Sequence, residues 1–161
     1  MRYRLYSTAD FAALYAIEKQ CFAPPLRFGR AYMRQLVNSV NAATWIAEDN
    51  GLMAGFAIVE WDEDGLGINA YLQTIEVASE QRGQGIGAEL LRRAEDSARE
   101  AHARAMWLHV DMANTAAIRM YERHGYQRQG REEDYYGRRR AAWVYMKLLD
   151  VPRAGTPPES S

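Results

Sequence analysis

One cysteine, two lysines and no apolar run of membrane-spanning length are what this 161-residue chain has least of. The single thiol, Cys21, can close no internal disulfide and has no cysteine partner for a metal site, so a reducing setting is expected. The opening "MRYRLYSTAD" is too polar for a secretory leader or a membrane anchor. A cytoplasmic location with no membrane partner is the expectation. Charge of one sign is also missing. Twenty basic against twenty-one acidic residues leave a formal net charge of −1, which gives no global field to attract nucleic acid. Eighteen of the basic residues are arginine, a bias that codon usage explains as well as function does. What is present is 48% hydrophobic content with four Trp and ten Tyr, enough for one substantial core and one domain over residues 1–150. Residues 151–161, rich in Pro, Ser and Gly, read as a flexible tail.

Ser7 and Asp10 ahead of "FAALYAIEKQCF" mark a helix start, and Leu14, Ile17 and Cys21 recur at helical spacing. A short strand, "YRLY", precedes them. "APPL" breaks that helix, and Tyr32, Met33, Leu36, Val37 and Val40 carry a second one, enclosing the loop Phe22 to Phe28. "TWIAED-NG-LMAGFAIVEW" predicts a hairpin whose Asn50-Gly51 suits a type I′ turn, and Asp64-Gly65 turns the chain into "INAYLQTIEV". A glycine loop follows, then a helix to about Ala103, the strand "MWLHVD" and a helix from Asn114 to His124. Two strands, around Tyr126 and in "AAWVYMKLL", complete the order βααβββαβαββ. This is an α/β (α+β) arrangement, a mixed sheet covered by helices. Its strand, glycine loop, helix and strand form a right-handed crossover between parallel strands. His102 and His124 fall on the predicted helices as surface groups.

Gly83, Gly85 and Gly87 occupy every second position within "VASEQRGQGIGAELLRRAEDSAREA". An isolated glycine costs a helix about 1 kcal/mol, so their place ahead of one needs a reason: a turn, or a group that approaches the backbone closely. A strand ending at Val77, a glycine loop and a helix N-terminus make an anion site, because free amides and the positive end of the helix dipole face one point. Pyrophosphate fits there. The dinucleotide pattern G-x-G-x-x-G after a first strand is absent, and no Gly-Lys-Ser/Thr completes a Walker loop. A turn without a ligand requires fewer glycines. A Cβ at Gly85 or Gly87 would intrude on the anion or pull amides out of line, so Gly87→Val is expected to weaken binding and leave the fold intact.

"RGQGIGAELL", Arg82 to Leu91, resembles the Arg/Gln-x-x-Gly-x-Gly/Ala signature of the GNAT N-acetyltransferases, with Arg82, Gly85 and Gly87 on the signature positions. "NTAAIRMYERHGY", Asn114 to Tyr126, is similar to the Asn-x-x-Ala-Ile-x-x-Tyr-x-x-x-Gly-Phe/Tyr segment of RimI-like protein Nα-acetyltransferases. The likeness covers roughly residues 3 to 149. It implies the GNAT fold, a mixed, mostly antiparallel seven-stranded sheet flanked by about four helices, and acetyl-coenzyme A as cofactor. The cofactor-binding residues it implies are Ile75, Val77, Arg82, Gly83, Gln84, Gly85, Ile86, Gly87 and Ala88 with Asn114, Ala117 and Tyr121. The Val77 N–H would receive the thioester oxygen, and the Tyr121 hydroxyl would donate to the departing thiolate.

For the base, RimI-like enzymes commonly carry Leu-Glu-Val where this chain reads "LHV", which puts His109 in the glutamate's position. An imidazole, with a reference pKa of about 6.5, accepts protons near neutrality. Tyr71 and His109 also resemble the tyrosine and histidine pair of the NatE catalytic subunit and its archaeal relatives. Strand alternation places Tyr71, Gln73 and Ile75 on one face and Trp107, His109 and Asp111 on one face of the next strand. Glu76 and Asp111 are lesser candidates, Glu76 because it alternates away from Tyr71. The resemblance lines the acceptor groove with "FAPPLRF" and "DYYG": Phe22, Pro24 and Pro25 form an apolar pocket, and Tyr135 and Tyr136 meet substrate backbone. Arg138 to Arg140 read as a solvated turn that would also favour acidic residues later in a peptide. The implied activity is acetyl transfer to the N-terminal α-amine of a protein or peptide in a ternary complex, with no metal. The alternatives are a small-molecule or lysine ε-amine acetyltransferase of the same fold, and a non-catalytic acetyl-coenzyme A-binding module.

Overall fold

The computed structural model describes residues 1–135 and 140–150, so the expected tail lies outside the described residues, as do Tyr136, Arg138 and Arg139. In chain order the elements are β1 (Arg2–Leu5), α1 (Phe11–Cys21), α2 (Arg30–Val37), β2 (Ala42–Asp49), β3 (Leu52–Glu63) and β4 (Ile68–Val77). Then come α3 (Ile86–Glu100), β5 (Ala103–Asp111), α4 (Thr115–Arg123), β6 (Gln127–Glu132) and β7 (Ala142–Leu148). The order matches the one expected from sequence. All seven strands join one sheet, β1-β2-β3-β4-β5-β7-β6, in which β4 and β5 are parallel and the other neighbours antiparallel.

Local chemistry accounts for most boundaries. Asn50 and Gly51 have φ of 52° and 81°, the pair of positive values a type I′ turn needs. Ser7 and Asp10 do form a capping box, but it opens a single 3₁₀ turn, and α1 proper starts at Phe11. The second helix is shorter than its periodicity suggests. Asn38 caps α2 just after Val37, so Val40 falls outside and is exposed, and only Met33 and Leu36 are buried. His102 and His124 stand at the C-terminal ends of α3 and α4, not within them: His102 has φ of 66°, and His124 is the C-cap residue of α4.

The sheet has a core on each face. Leu14, Met33, Ile46, Phe56 and Ile58 pack under α1 and α2, whereas Leu91, Ala94, Met106, Leu108 and Tyr121 pack under α3 and α4. Along β4 the expected alternation fails. Val59 pairs with Leu72 and Ile58 with Thr74, leaving Gln73 as an extra residue in a β-bulge. One inserted residue reverses the parity of everything after it. Tyr71 and Gln73 keep the α1 face, where Gln73 Nε2 meets Glu60 Oε1 at 2.5 Å. Ile75 and Val77 turn instead to α3 and pack with Ile86 and Leu90. Glu76, expected to point away from Tyr71, is returned to its face, where it meets Glu18 of α1. No helix among the described residues is long and apolar enough to cross a membrane.

Candidate active site

The β4–β5 register stops at Leu72 and Leu108, although β4 continues to Val77 and β5 to Asp111. The strands part there, and a cavity of about 800 Å³ passes through the opening. Thr74 and Ile75 of β4, His109 and Asp111 of β5, and Asn114, Ala117 and Tyr121 of α4 line it. The loop between α1 and α2 closes the other side. Phe22 and Pro25 are in its wall, as expected. Pro24 is exposed and does not line the cavity; it stands at the tip of a turn closed by Leu26 N–H to Ala23 C=O, and Leu26 and Phe28 take its place. Two α1 side chains fix this loop: Tyr15 donates to the Phe28 carbonyl and Glu18 Oε2 accepts from the Phe28 amide, both at 2.8 Å.

The bulge leaves Tyr71 ahead of it, level with β5, and Tyr71 Oη lies 2.5 Å from His109 Nδ1. His109 Nε2 lies 3.0 Å from Glu132 Oε1 on β6. An ionised carboxylate only accepts, so with Nε2–H donating to Glu132, Nδ1 is left as the acceptor of a hydrogen bond from the Tyr71 hydroxyl. Tyr135 covers the imidazole, with ring centroids 4.0 Å apart and planes within 1°, and its hydroxyl is 3.2 Å from Tyr71 Oη. The expected partners Tyr71 and His109 are therefore in contact, and Tyr135, expected only in the acceptor groove, joins them. Glu132 was not foreseen, and only the strand order brings it there. β7 separates β6 from β5, and small residues, Gly130 and Ala142, leave the diagonal clear.

At the end of β4 the Val77 carbonyl accepts from Arg82 Nε at 3.1 Å, and Cys21 Sγ lies 3.6 Å from it. Ala78 N–H goes to Ala54 of β3 at 2.8 Å, so by strand alternation the Val77 amide faces the opening. Gly83 and Gly85 follow with φ of 82° and 80°, and nothing lies within 4 Å of where a Cβ would stand on either. The first α3 amides, of Ile86, Gly87 and Ala88, precede the Glu89 N–H to Gly85 C=O bond and have no acceptor within the helix. That open, donor-rich loop fits an anionic group. Gln84 contributes a contact to Gln81 within the loop. Gly87 differs from expectation. A Cβ there would stand in ordinary contact with Met120 Sδ at 3.4 Å and the side chains of Ile75 and Val77 at 3.9 Å, so larger side chains at this position would press on helix packing.

Tyr121 is 7% exposed, and burial pushes its phenol well above the usual range, so it is protonated throughout the neutral range. Asn114 caps α4 by accepting from Ala117 N–H at 3.2 Å. Asp111 is engaged by Arg140 at 2.7 Å. Burial pushes the Cys21 thiol up, and the Arg82 guanidinium offsets only part of that. No group of three or more His, Cys, Asp or Glu among the described residues is arranged to hold a metal ion.

This architecture and this opening define an acetyl-transfer fold, and the chain belongs to the acetyltransferase (GNAT) family, whose model matches residues 11–126. A relative from Escherichia coli, the [ribosomal protein bS18]-alanine N-acetyltransferase, is 31% identical over 129 residues, covering 80% of this chain and 82% of that protein. Streptothricin acetyltransferase of Streptomyces lavendulae is 39% identical over 90 residues, 54% of this chain and 45% of its own length. The chain thus spans under half of that relative. Among solved structures, one of the NatC complex bound to Gag peptide and CoA superposes with a TM-score of 0.83 at 23% identity, covering 92% of this chain and 98% of the matched one.

Proposed function

We propose that this protein transfers acetyl from acetyl-coenzyme A to the N-terminal α-amine of a protein or peptide, by direct attack in a ternary complex. The observation that carries this reading is the hydrogen-bonded Tyr71–His109 pair at the mouth of a cleft that joins the α1–α2 loop to the opening between β4 and β5. The bS18-alanine N-acetyltransferase relative and the peptide-bound NatC structure support the acceptor class. A cytoplasmic enzyme with residues 1–150 as its single domain belongs to the same reading.

When bound, acetyl-coenzyme A supplies an activated thioester whose C–S bond breaks as the new C–N bond forms. The amides from Arg82 to Ala88 hold its pyrophosphate, and the α3 dipole adds to their pull. Ile75, Asn114 and Ala117 line its path to the opening. The Val77 N–H, directed at the opening, would stabilise negative charge on a thioester oxygen there. Tyr71 receives the amine proton on its oxygen as its own proton passes to His109 Nδ1, and His109 later releases it to solvent. Tyr121, buried and protonated, would supply its phenolic proton to a departing thiolate and recover one from solvent, so protons would balance over the cycle. Cys21, kept protonated by burial, is a poor nucleophile, which favours direct attack over an acetyl-cysteine route. Phe22, Pro25, Leu26 and Phe28 would receive the first side chain, with Tyr135 lining the same cavity.

A second reading, acetylation of a small-molecule amine, draws on the match to streptothricin acetyltransferase. An acceptor screen followed by thiol release separates the two: peptides with varied first residues against free aminoglycoside-like and polyamine substrates. Turnover confined to peptides supports the proposal, and turnover confined to small amines replaces it.

A further inference from the structure

Resting on the α-amine reading, the inference concerns a residue that no motif marks. Glu132 lies on β6, two strands from His109, with its side chain 55% exposed, and its Oε1 reaches the imidazole at 3.0 Å. In the cross-strand rows His109, Val144 and Gly130 stand level, as do Asp111, Ala142 and Glu132. Glu132 therefore reaches diagonally over Ala142 to the ring edge opposite Tyr71. The imidazole is held on three sides: Tyr71 at Nδ1, Glu132 at Nε2 and Tyr135 on its face.

We propose that Glu132 is a positioning residue that fixes His109 in the Nε2–H tautomer, with Nδ1 turned to Tyr71, and stabilises the imidazolium formed when the amine's proton arrives. Without a partner at Nε2, neutral imidazole can carry its proton on Nδ1 instead. Nδ1 then carries a proton and cannot accept the one from Tyr71, so the relay through His109 is blocked although both side chains remain in place. In the cycle, one N–H bond of the attacking amine breaks as Tyr71 O–H re-forms, and the former Tyr71 proton becomes His109 Nδ1–H. Nε2–H stays on Glu132 throughout. Other titratable or charged groups near His109 have their own partners or stand apart. Asp111 is engaged by Arg140, Glu60 on β3 by Gln73, and Glu18 on α1 by the Phe28 amide. The Tyr32 hydroxyl on α2 is pushed up by burial and by Glu60.

The test uses the full chain, with Glu132→Gln and Glu132→Ala. Gln still accepts from Nε2–H but lacks the charge; Ala lacks both. Nitrogen-15 spectra of the three histidines, with His109 assigned through His109→Gln, should show the Nε2–H tautomer at pH 8.5 in the wild type and Glu132→Gln. Glu132→Ala should show a mixture or the Nδ1–H form. Turnover of a free-N-terminus peptide by Glu132→Ala should fall about tenfold on the alkaline plateau, less than the about 10²–10⁴-fold expected for the base itself. Peptide KM and coenzyme affinity should stay within about twofold. A wild-type Nδ1–H tautomer would overturn the proposal, as would a Glu132→Ala variant with an unchanged plateau. If the wild type acetylates no peptide α-amine, the functional reading fails by itself, while the tautomer spectra still decide the role of Glu132.

Discussion

Glu18 of α1 and Glu76 of β4 face each other in the interior, 0% and 2% exposed, and each has an Oε1 with no partner among the described residues. The Glu76 carboxyl is pushed well above the ordinary range by burial and then by the facing Glu18 carboxylate; Thr74, donating at 2.8 Å, opposes this only in part. A proton between the two free oxygens satisfies both.

A stability consequence follows from the direction of that shift. A carboxyl held above its unfolded value stabilises the fold below about pH 4.3, and that contribution is lost as pH rises toward the folded value. Glu76→Gln keeps a donor for Glu18 and removes the titration. Its melting temperature relative to wild type should therefore climb between pH 5 and pH 8. Each unit of elevation is worth about 1.4 kcal/mol, or about 3–6 °C in a chain of this size. A difference that stays flat across that range contradicts the shared-proton account.

Tyr121→Phe should lower turnover in a chemistry-limited assay by about 10²-fold or more and leave coenzyme affinity within about threefold. The buried, protonated phenol is asked to act only as sulfur departs. Wild-type turnover in the variant would return Tyr121 to the core beneath α4.

The two glycines of the loop should fail in different ways. Gly85→Ala places a side chain at φ of 80°, a strain of about 1–2 kcal/mol that misdirects the α3 amides, so coenzyme affinity measured by calorimetry should drop. Gly87→Val drives methyl groups toward Met120, Ile75 and Val77, and urea melts should show a loss of about 1–3 kcal/mol. The sequence alone leads to the opposite expectation, that Gly87→Val spares the fold. Equal stability of Gly87→Val and wild type would restore it.

The glycine loop and the Asn114 helix were legible because anion binding and capping need particular residues at fixed spacing. The meeting of Tyr71 with His109 was also foreseen, since parallel neighbours place residues of one parity side by side up to the bulge. Beyond Gln73 the reading broke down, because no Gly or Pro marks that bulge, and Glu76 was assigned to the wrong face. Glu132 was out of reach for a topological reason. The last strand, β7, inserts between β5 and β6, so a residue on the outermost strand reaches the centre by a route that chain order does not reveal. Pro24 was misplaced because a tight turn, not hydrophobicity, decides which loop side chains face inward.

Preference for an α-amine over a lysine side chain is the central claim. Reference pKa values of about 7.7–8.0 and about 10.4 leave far more neutral α-amine near pH 7.5, so a modest base of the kind proposed for Tyr71–His109 would suffice for the first and not for the second. Apolar side chains at Phe22, Pro25, Leu26 and Phe28 favour Met or another apolar first residue, each buried methylene contributing about 0.8 kcal/mol. The decisive measurement uses one such peptide, free or blocked at its N-terminus and carrying an internal lysine in both forms, with mass spectrometry locating the acetyl group. Modification of the free form at its α-amine alone, with the blocked form untouched, is the expected result; efficient lysine acetylation of the blocked form, with little at the free α-amine, contradicts it.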